Sequence, residues 1–306
     1  MKQIRVFLLV LTVVAFFSVV HAQSNEPLAI LMTADGTIMP PMLEYFKRGI
    51  KTAEQRNAEV LVIQLNTPGG SVSVMSEMIT AIGNSTVPVV IYVSPKDAQA
   101  ASAGALITMA GHASAMSPRT VIGAASPIDS SGADIESTLE KKIKEDLKAK
   151  ARTLVERRGP DAIQLAEAMI DDAKAATAKE SLDAKLIDFI SDDTEDLLQS
   201  LNGFTVQMDS GSHTFNTTDV RTQDLNISFI EQLLLMLTDP NIAFLLLAIG
   251  VQGVLIEISS PGGWFAGFIG ATCLTLAVYG MGVLTVNWFG GIFLIIAFVI
   301  FMIVKA

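Results

Sequence analysis

The stretch Ala-Ser-Ala-Gly at residues 101–104 lies where an apolar run passes into the segment 105–110, which is typical of a junction between a β-strand and an α-helix. At such a junction the hydroxyl of Ser102 can project, and the N–H groups of the first helical turn can face an anion. A second motif, Asn-Thr-Pro-Gly-Gly at residues 66–70, follows an apolar run and can present further N–H groups. A nucleophile and an oxyanion hole are the minimum requirement for acyl transfer, so these two loops form the candidate site.

The segments around these loops alternate between the periodicities of strands and helices. Residues that share one helical face recur over 40–57 and 71–84, whereas short β-branched runs precede and follow them. The predicted strands cover residues 28–32, 59–65 and 87–93, and the predicted helices cover residues 40–57, 71–84, 101–111 and about 135–158. This alternation predicts an α/β fold with a mainly parallel sheet covered by helices on both faces. The polar segment 129–134 is predicted to be a mobile loop.

The amino terminus carries the features of an export signal. A basic start is followed by the apolar run 6–20 and by small residues up to Ala22. This order predicts a signal peptide over residues 1–22, cleaved after Ala22, and the alternative is an uncleaved anchor helix.

The carboxyl terminus is strongly apolar. The chain has 306 residues, 50% of them hydrophobic, and a mean hydropathy of +0.48. The runs 241–258, 264–286 and 288–304 each approach the length of a membrane-spanning helix, and 227–237 either lies at the interface or adds a fourth span. The predicted domains are therefore 1–22, a signal peptide; 23–203, an α/β domain; 204–226, a tether; and 227–306, a transmembrane region with three or four helices.

The charge and the rare residues exclude several kinds of site. A net charge of −10 gives no electrostatic support for nucleic-acid binding. Cys273 is the only cysteine, so no disulfide or cysteine metal site can form within one chain. Of the three histidines, His21 lies in the predicted signal peptide, which argues against a multi-histidine metal site. We expect no metal and no cofactor.

A serine nucleophile needs a base, and the histidines are poorly placed to provide one. His112 lies ten residues beyond Ser102 on the predicted helix, about 15 Å along its axis, and His213 lies in the predicted tether. The base is therefore expected among the lysines of the charged helix, which are Lys141, Lys142, Lys144, Lys148 and Lys150.

A lysine acts as a base only when it is neutral, which requires desolvation, because loss of water lowers the pKa of an ammonium group. Ile143 marks an inward face of the charged helix and Lys142 adjoins it, whereas Lys148 and Lys150 fit exposed partners of acidic residues. The alternative reading of Ser102 is a small residue for helix packing, and that of Gly69 and Gly70 is a plain turn.

Several motifs in order carry a resemblance to the NfeD family. They lie at residues 66–72, 87–93, 100–105, 122–124, 239–244 and 257–262. The family consists of membrane-bound serine proteases of the ClpP/crotonase superfamily, so the resemblance implies a ClpP/crotonase-like parallel sheet with flanking helices, followed by an all-α transmembrane region. It further implies a Ser-Lys dyad of Ser102 and Lys142, with Lys141 and Lys144 as alternatives to the lysine. The implied oxyanion hole uses the N–H groups of Gly69, Gly70 and Ala103.

The resemblance also implies a biological setting. The substrate would be a peptide or protein, with apolar segments of membrane-associated proteins as the preferred sites, and a stomatin-like (SPFH) membrane protein would be a partner. The chain would form a dimer or larger homo-oligomer in the cytoplasmic (inner) membrane of a bacterium, with its catalytic domain on the extracytoplasmic, periplasmic side. Longer family members carry a C-terminal OB-type domain, which we expect this chain to lack.

Two other functions remain open from the sequence. The first is a non-proteolytic scaffold for stomatin-like membrane proteins, which would use the same domain without cutting. The second is a crotonase-type acyl-CoA enzyme, which export disfavours because coenzyme A substrates are cytoplasmic.

Overall fold

The computed structural model describes residues 26–127, 137–259 and 264–281. The predicted signal peptide, the predicted loop at 129–134 and the apolar run 288–304 lie outside the described residues. The strands of the α/β domain are β1 (Leu28–Asp35), β2 (Val60–Asn66), β3 (Val89–Val93), β4 (Gln99–Ala101), β5 (Ala113–Met116), β6 (Val121–Gly123), β7 (Ala175–Thr177), β8 (Phe189–Ile190), β9 (Thr205–Met208), β10 (Gly211–Thr214) and β11 (Arg221–Asp224). The helices are α1 (Pro40–Gln55), α2 (Val72–Gly83), α3 (Ala103–Ala110), α4 (Ser137–Val155), α5 (Pro160–Asp171), α6 (Ala178–Asp183), α7 (Thr194–Leu201), α8 (Phe229–Leu237), α9 (Pro240–Ser259) and α10 (Phe265–Gly280).

The main sheet has six strands in the order β11-β1-β2-β3-β5-β8, and every neighbouring pair is parallel. β2 and β3 lie at its centre, and both are buried on their two faces, which explains their continuous runs of Val, Ile and Leu. The predicted α/β class with a parallel sheet is confirmed.

Two apolar clusters cover the two faces of the main sheet. The larger cluster joins α1, α2, α3, α4 and α5 to one face, with Phe46, Ile63 and Ile91 among its fully buried members. On the other face, α7 and the antiparallel hairpin β9–β10 pack against Val62 and Tyr92. Because both faces are covered, the ends of the strands are the part of the sheet that is open to a ligand.

A second, smaller sheet positions the candidate site. β4 and β6 are parallel, and β7 pairs antiparallel with β6. A bridge between Thr67 and Ala100 connects this sheet to the end of β2. The helix predicted over 101–111 therefore begins later, at Ala103, because Ala101 belongs to β4. The charged helix also differs slightly from its prediction: α4 covers Ser137–Val155 and a 3-10 turn continues to Arg158.

The segment 204–226, predicted to be a tether, is folded onto the domain instead. Val206, Met208 and Phe215 are buried in the second apolar cluster, and β11 is an edge strand of the main sheet beside β1. β11 is short and polar, and it gains its place through backbone hydrogen bonds without an apolar pattern of its own.

The carboxyl-terminal helices are strongly apolar. Within the described ranges, α9 is the only helix that is long and apolar enough to cross a membrane, and its 20 residues are mostly exposed. α10 has 16 residues and lies within the run predicted over 264–286, of which residues 282–286 lie outside the described residues. The two helices pack closely, since a Cβ atom on Gly253 would lie 2.9 Å from the Cα atom of Gly270.

Candidate active site

Ser102 occupies the junction between β4 and α3 in a strained conformation. Its φ of 52° and ψ of −118° are sparsely populated by residues with a side chain, and such a conformation costs about 1–3 kcal/mol. Its N–H donates to the carbonyl oxygen of Gly123 over 2.9 Å, which holds the turn. The hydroxyl is not used to cap α3, so it is available for chemistry. The sequence-predicted strand-to-helix junction is therefore present at Ser102.

Gly69 lies directly against this serine. A Cβ atom on Gly69 would stand 2.7 Å from Cβ of Ser102 and 3.2 Å from its Oγ atom, and the backbone of Gly69 has a φ of +112°. Gly70 has a φ of +156°, and a Cβ atom there would lie 2.2 Å from the carbonyl oxygen of Ile38. At both positions a side chain would clash with a neighbour and the backbone has a positive φ, so both require glycine. This favours a loop with a specific close-packed role over a plain turn.

The three predicted oxyanion donors are not equivalent. Gly69 already donates its N–H to Oγ1 of Thr67 over 3.0 Å. Gly70 forms a β-bridge with Ile38, in which the N–H of Ile38 donates to the carbonyl oxygen of Gly69 and the N–H of Ser71 donates to the carbonyl oxygen of Ile38. The N–H of Gly70 takes no part in this pairing. Ala103 is the first residue of α3, and within the described ranges neither its N–H nor that of Gly70 has an acceptor. These two N–H groups are the ones that can bind a developing negative charge.

Thr67 is a residue of the site that the sequence did not single out. It is fully buried, its N–H donates to the carbonyl oxygen of Gln99 over 2.7 Å, and its carbonyl oxygen accepts from Ala101 over 3.0 Å. A Cβ atom on Gly104 would lie 2.5 Å from its methyl group. Thr67 therefore joins the glycine loop to the strand that ends at Ser102. The available signal was a threonine two residues before a glycine, the spacing of a side-chain-to-backbone turn.

His112 has a structural role, as its distance from Ser102 along the helix indicated. Its side chain is buried, and Nδ1 accepts the N–H of Val89 over 3.0 Å. Burial, together with the charge of Arg157, lowers the pKa of His112 from 6.5 to about 4. It lies beyond the far end of α3. His213 is likewise engaged elsewhere, with Nε2 at 3.1 Å from Glu59.

Ion pairs separate the candidate lysines into two groups. Three of them contact acidic partners: Lys144 with Glu140 at 2.8 Å, Lys148 with Asp171 at 2.9 Å and Glu145 at 3.1 Å, and Lys150 with Asp146 at 2.9 Å. The expected pairing with acidic residues is confirmed for both Lys148 and Lys150, but the side chain of Lys148 is only 16% exposed and so is not the exposed partner that was expected. Lys141 and Lys142 are exposed and have no ion-pair partner within the described ranges. Ile143 packs on the large apolar cluster, as predicted.

The predicted dyad is not joined by a hydrogen bond in the described part of the chain. No hydrogen bond joins Ser102 to another lysine of α4 among the described residues. The serine, the glycine loop and the start of α3 are assembled, whereas the lysine is on an exposed turn of α4.

Two parts of the chain match models of a known protein family. Residues 31–209 match the family described as NfeD1b, N-terminal domain, and residues 241–304 match the NfeD integral membrane domain. The chain belongs to the NfeD family. It is 36% identical over 276 residues to the membrane-bound protease PH1510 of Pyrococcus horikoshii, covering 89% of this chain and 62% of that protein. It is 24% identical over 270 residues to the membrane protein NfeD1b of Bacillus subtilis, covering 85% of this chain and 57% of that protein. This NfeD chain thus spans about three fifths of the length of these curated relatives.

Solved structures resemble the α/β domain of this NfeD chain. A lysine-to-alanine mutant of the 1510-N membrane-bound stomatin-specific protease, in complex with a substrate peptide, is 32% identical with a TM-score of 0.65, over 70% of this chain and 99% of that one. A serine-to-alanine mutant of the same protease is 32% identical with a TM-score of 0.62, over 67% of this chain and 100% of that one. The α/β domain of this NfeD chain, with its parallel sheet and flanking helices, therefore has the fold of these solved proteases.

Proposed function

We propose that this NfeD chain is a membrane-bound serine endopeptidase in which Ser102 is the nucleophile. The observation that carries the proposal is the strained serine, with Gly69 against its side chain and with the N–H groups of Gly70 and Ala103 lacking acceptors among the described residues. A packing serine needs neither the strain nor the unused N–H groups. The protease name of the Pyrococcus relative supports the same reaction.

Lys142 is the proposed base. It is one of the two lysines of α4 without an ion pair in the described part of the chain, and it adjoins Ile143, which packs on the core. Catalytic hydrogen bonds are often long or poorly aligned before substrate binds. Because Lys142 is exposed in the structure, the dyad requires it both to reach Ser102 and to be desolvated in the substrate complex. Lys141 is the alternative, whereas Lys144 would first have to leave Glu140.

The reaction then proceeds by acyl transfer. Neutral Lys142 takes the proton of the Ser102 hydroxyl as Oγ attacks the peptide carbonyl carbon, and the carbonyl oxygen becomes an oxyanion held by Gly70 and Ala103. Collapse of the tetrahedral intermediate breaks the C–N bond, and the lysine ammonium returns its proton to the leaving amine. A water deprotonated by the same lysine attacks the ester, releasing the acid and restoring the serine.

The relatives and the carboxyl-terminal helices support a proposal for the substrate and the location. We assign apolar segments of membrane-associated proteins as the substrate, and a stomatin-like (SPFH) membrane protein as a partner, because the similar solved protease is named stomatin-specific. The chain is proposed to be multi-pass in the cytoplasmic (inner) membrane, with the α/β domain on the extracytoplasmic side, and to act as a homo-oligomer.

A serine-reactive fluorophosphonate tests the site directly. The purified full chain should be labelled, and Ser102→Ala should abolish labelling because the attacking oxygen is removed. Lys142→Ala should slow labelling by about 100-fold or more, the usual contribution of a general base. Lys141→Ala and Lys144→Ala are matched controls on the same helix and should label at close to the parental rate.

The same variants separate the protease from a scaffold. Labelling that persists in Ser102→Ala would overturn the proposed nucleophile, and a large loss in Lys141→Ala instead of Lys142→Ala would move the base by one residue. If Ser102→Ala is unlabelled but fully replaces the parental protein in cells, the physiological role is that of a scaffold.

A further inference from the structure

The helix α8 lies between the two regions that the family comparisons match, and its outer face is apolar. The matched regions end at residue 209 and resume at residue 241. Within α8, the exposed fractions are 79% for Phe229, 66% for Ile230, 44% for Leu233 and 58% for Met236. At 100° per residue these four side chains lie on one side of the helix. We refer to Phe229, Ile230, Leu233 and Met236 as the outer face of α8.

The opposite side of α8 is fastened to the α/β domain. Glu231 accepts hydrogen bonds from Nε of Arg48 at 2.8 Å and from its NH2 group at 2.7 Å, which is the paired geometry of a guanidinium and a carboxylate. The same carboxylate accepts the N–H of Ser228 at 2.7 Å and so caps its own helix. Leu235 packs on the large apolar cluster.

The connection that leads into α8 is fastened as well. The hydroxyl of Tyr45 donates to the carbonyl oxygen of Leu225 over 2.6 Å, and Arg48 donates to that of Asn226 over 2.9 Å. The guanidinium of Arg48 also lies 5.1 Å from the centre of the Tyr45 ring. Because α1 carries both Tyr45 and Arg48, the position of α8 is set by a helix of the main core. We call these contacts of α1 the clamp.

The outer face is continuous with the membrane-spanning part of the chain. α9 begins at Pro240, only three positions after α8 ends at Leu237, and Asp239 caps it by accepting the N–H of Asn241 over 2.7 Å. The end of α8 also touches α10, since a Cβ atom on Gly280 would lie 2.0 Å from the carbonyl oxygen of Leu237. The outer face therefore lies at the level where the membrane helices begin.

We propose that the outer face of α8 is immersed in the boundary between lipid headgroups and acyl chains, and that the clamp thereby fixes the α/β domain at one orientation to the bilayer surface. Short helices with one apolar face and one polar face insert about 5–10 Å into that boundary. The nine residues of α8 are too few to cross the bilayer, so they lie along its surface. This assignment is independent of the chemistry at Ser102.

Fluorescence quenching by lipids tests the first half of the proposal. The full chain, in a Cys273→Ala background, receives a single cysteine by Leu233→Cys or, as control, by Gln199→Cys, and each is labelled with an environment-sensitive dye. Gln199 is exposed on α7, on the opposite face of the main sheet. In phosphatidylcholine vesicles with a spin label near the headgroup, the dye at 233 should emit at shorter wavelength and be quenched severalfold more than the control. Water-like, unquenched emission at 233 would overturn the proposal, and so would short-wavelength emission that lipid spin labels do not quench, which would mean that a second copy or another protein covers the face.

Energy transfer tests the clamp. Transfer from the dye at Gln199→Cys to acceptor lipids reports the distance of the domain from the bilayer. Arg48→Ala should change this transfer because the domain is released, whereas Lys47→Ala, which removes an exposed neighbour paired with Glu77, should leave it unchanged. Equal transfer in Arg48→Ala and the parent would refute the fixed orientation.

Discussion

Replacing Gly69 by alanine is expected to disable the nucleophile without unfolding the domain. The new methyl carbon would stand 2.7 Å from Cβ of Ser102, whereas ordinary contact begins at 3.4 Å, so the two groups must separate by about 0.7 Å. A displacement of about 1 Å at a reacting centre costs roughly 100-fold in rate, and we expect Gly69→Ala to lose between 10-fold and 100-fold of its fluorophosphonate labelling rate.

A matched control separates this contact from backbone strain. Gly211 has a φ of +122°, close to the +112° of Gly69, but a Cβ atom there meets nothing within 4 Å. Both alanine variants should lower the free energy of unfolding by about 1–3 kcal/mol, since both place a side chain at a positive φ. Only Gly69→Ala should lose labelling. If the two variants label at the same rate and unfold at similar urea concentrations, the contact with Ser102 does not control the nucleophile.

Three further predictions concern Thr67, His112 and Arg158. Thr67→Val should reduce the labelling rate by about 10-fold because the N–H of Gly69 loses its buried acceptor. Thr67→Ser keeps a hydroxyl at this position and should label at close to the parental rate. In the folded state the pKa of His112 is lowered to about 4, so between pH 6.5 and pH 4 the unfolded chain binds a proton that the folded chain does not. Lowering the pH over this range should therefore reduce the free energy of unfolding by about 3 kcal/mol, measured by urea denaturation. His112→Asn should lack this part of the loss. Arg158 is almost fully buried and pairs with Asp188, so Arg158→Ala leaves a mostly buried carboxylate without its counter-charge and should cost about 3–5 kcal/mol in the same assay. Lys179→Ala removes an exposed ion pair and should cost less than about 1 kcal/mol. A pH profile that is identical with and without His112, or an Arg158→Ala variant as stable as the Lys179→Ala variant, would contradict these expectations.

The position of the site could be predicted from sequence because its parts have local causes. The two glycines of the 66–70 motif are needed for positive φ angles, and Ser102 lies where an apolar strand meets an alanine-rich helix start. Both are short-range properties of the chain. The donor set could not be read in the same way, because the N–H of Gly69 is taken by the Thr67 hydroxyl, whereas that of Gly70 is left over by the pairing with Ile38.

The parts that sequence did not predict depend on distant contacts. β11 reads Arg-Thr-Gln-Asp and has no apolar alternation, yet it completes the main sheet through its backbone. Lys148 shows the same limit: its pairing with Glu145 fits helical spacing, whereas its contact with Asp171 depends on how α5 packs beside α4.

The pairing of β11 with β1 has a consequence for the order in which the domain is completed during synthesis. β1 is the first strand of the domain, but in the described part of the chain its outer edge pairs with residues 221–225. The N–H of Arg221 donates to the carbonyl oxygen of Pro27, and that of Leu225 donates to the carbonyl oxygen of Leu31. Until those residues have been made, one edge of the sheet exposes unpaired N–H and C=O groups, which is the arrangement that recruits strands from other chains. The main sheet is therefore completed only shortly before the membrane helices are synthesised. A fragment that ends before residue 221 should self-associate through the open edge of β1.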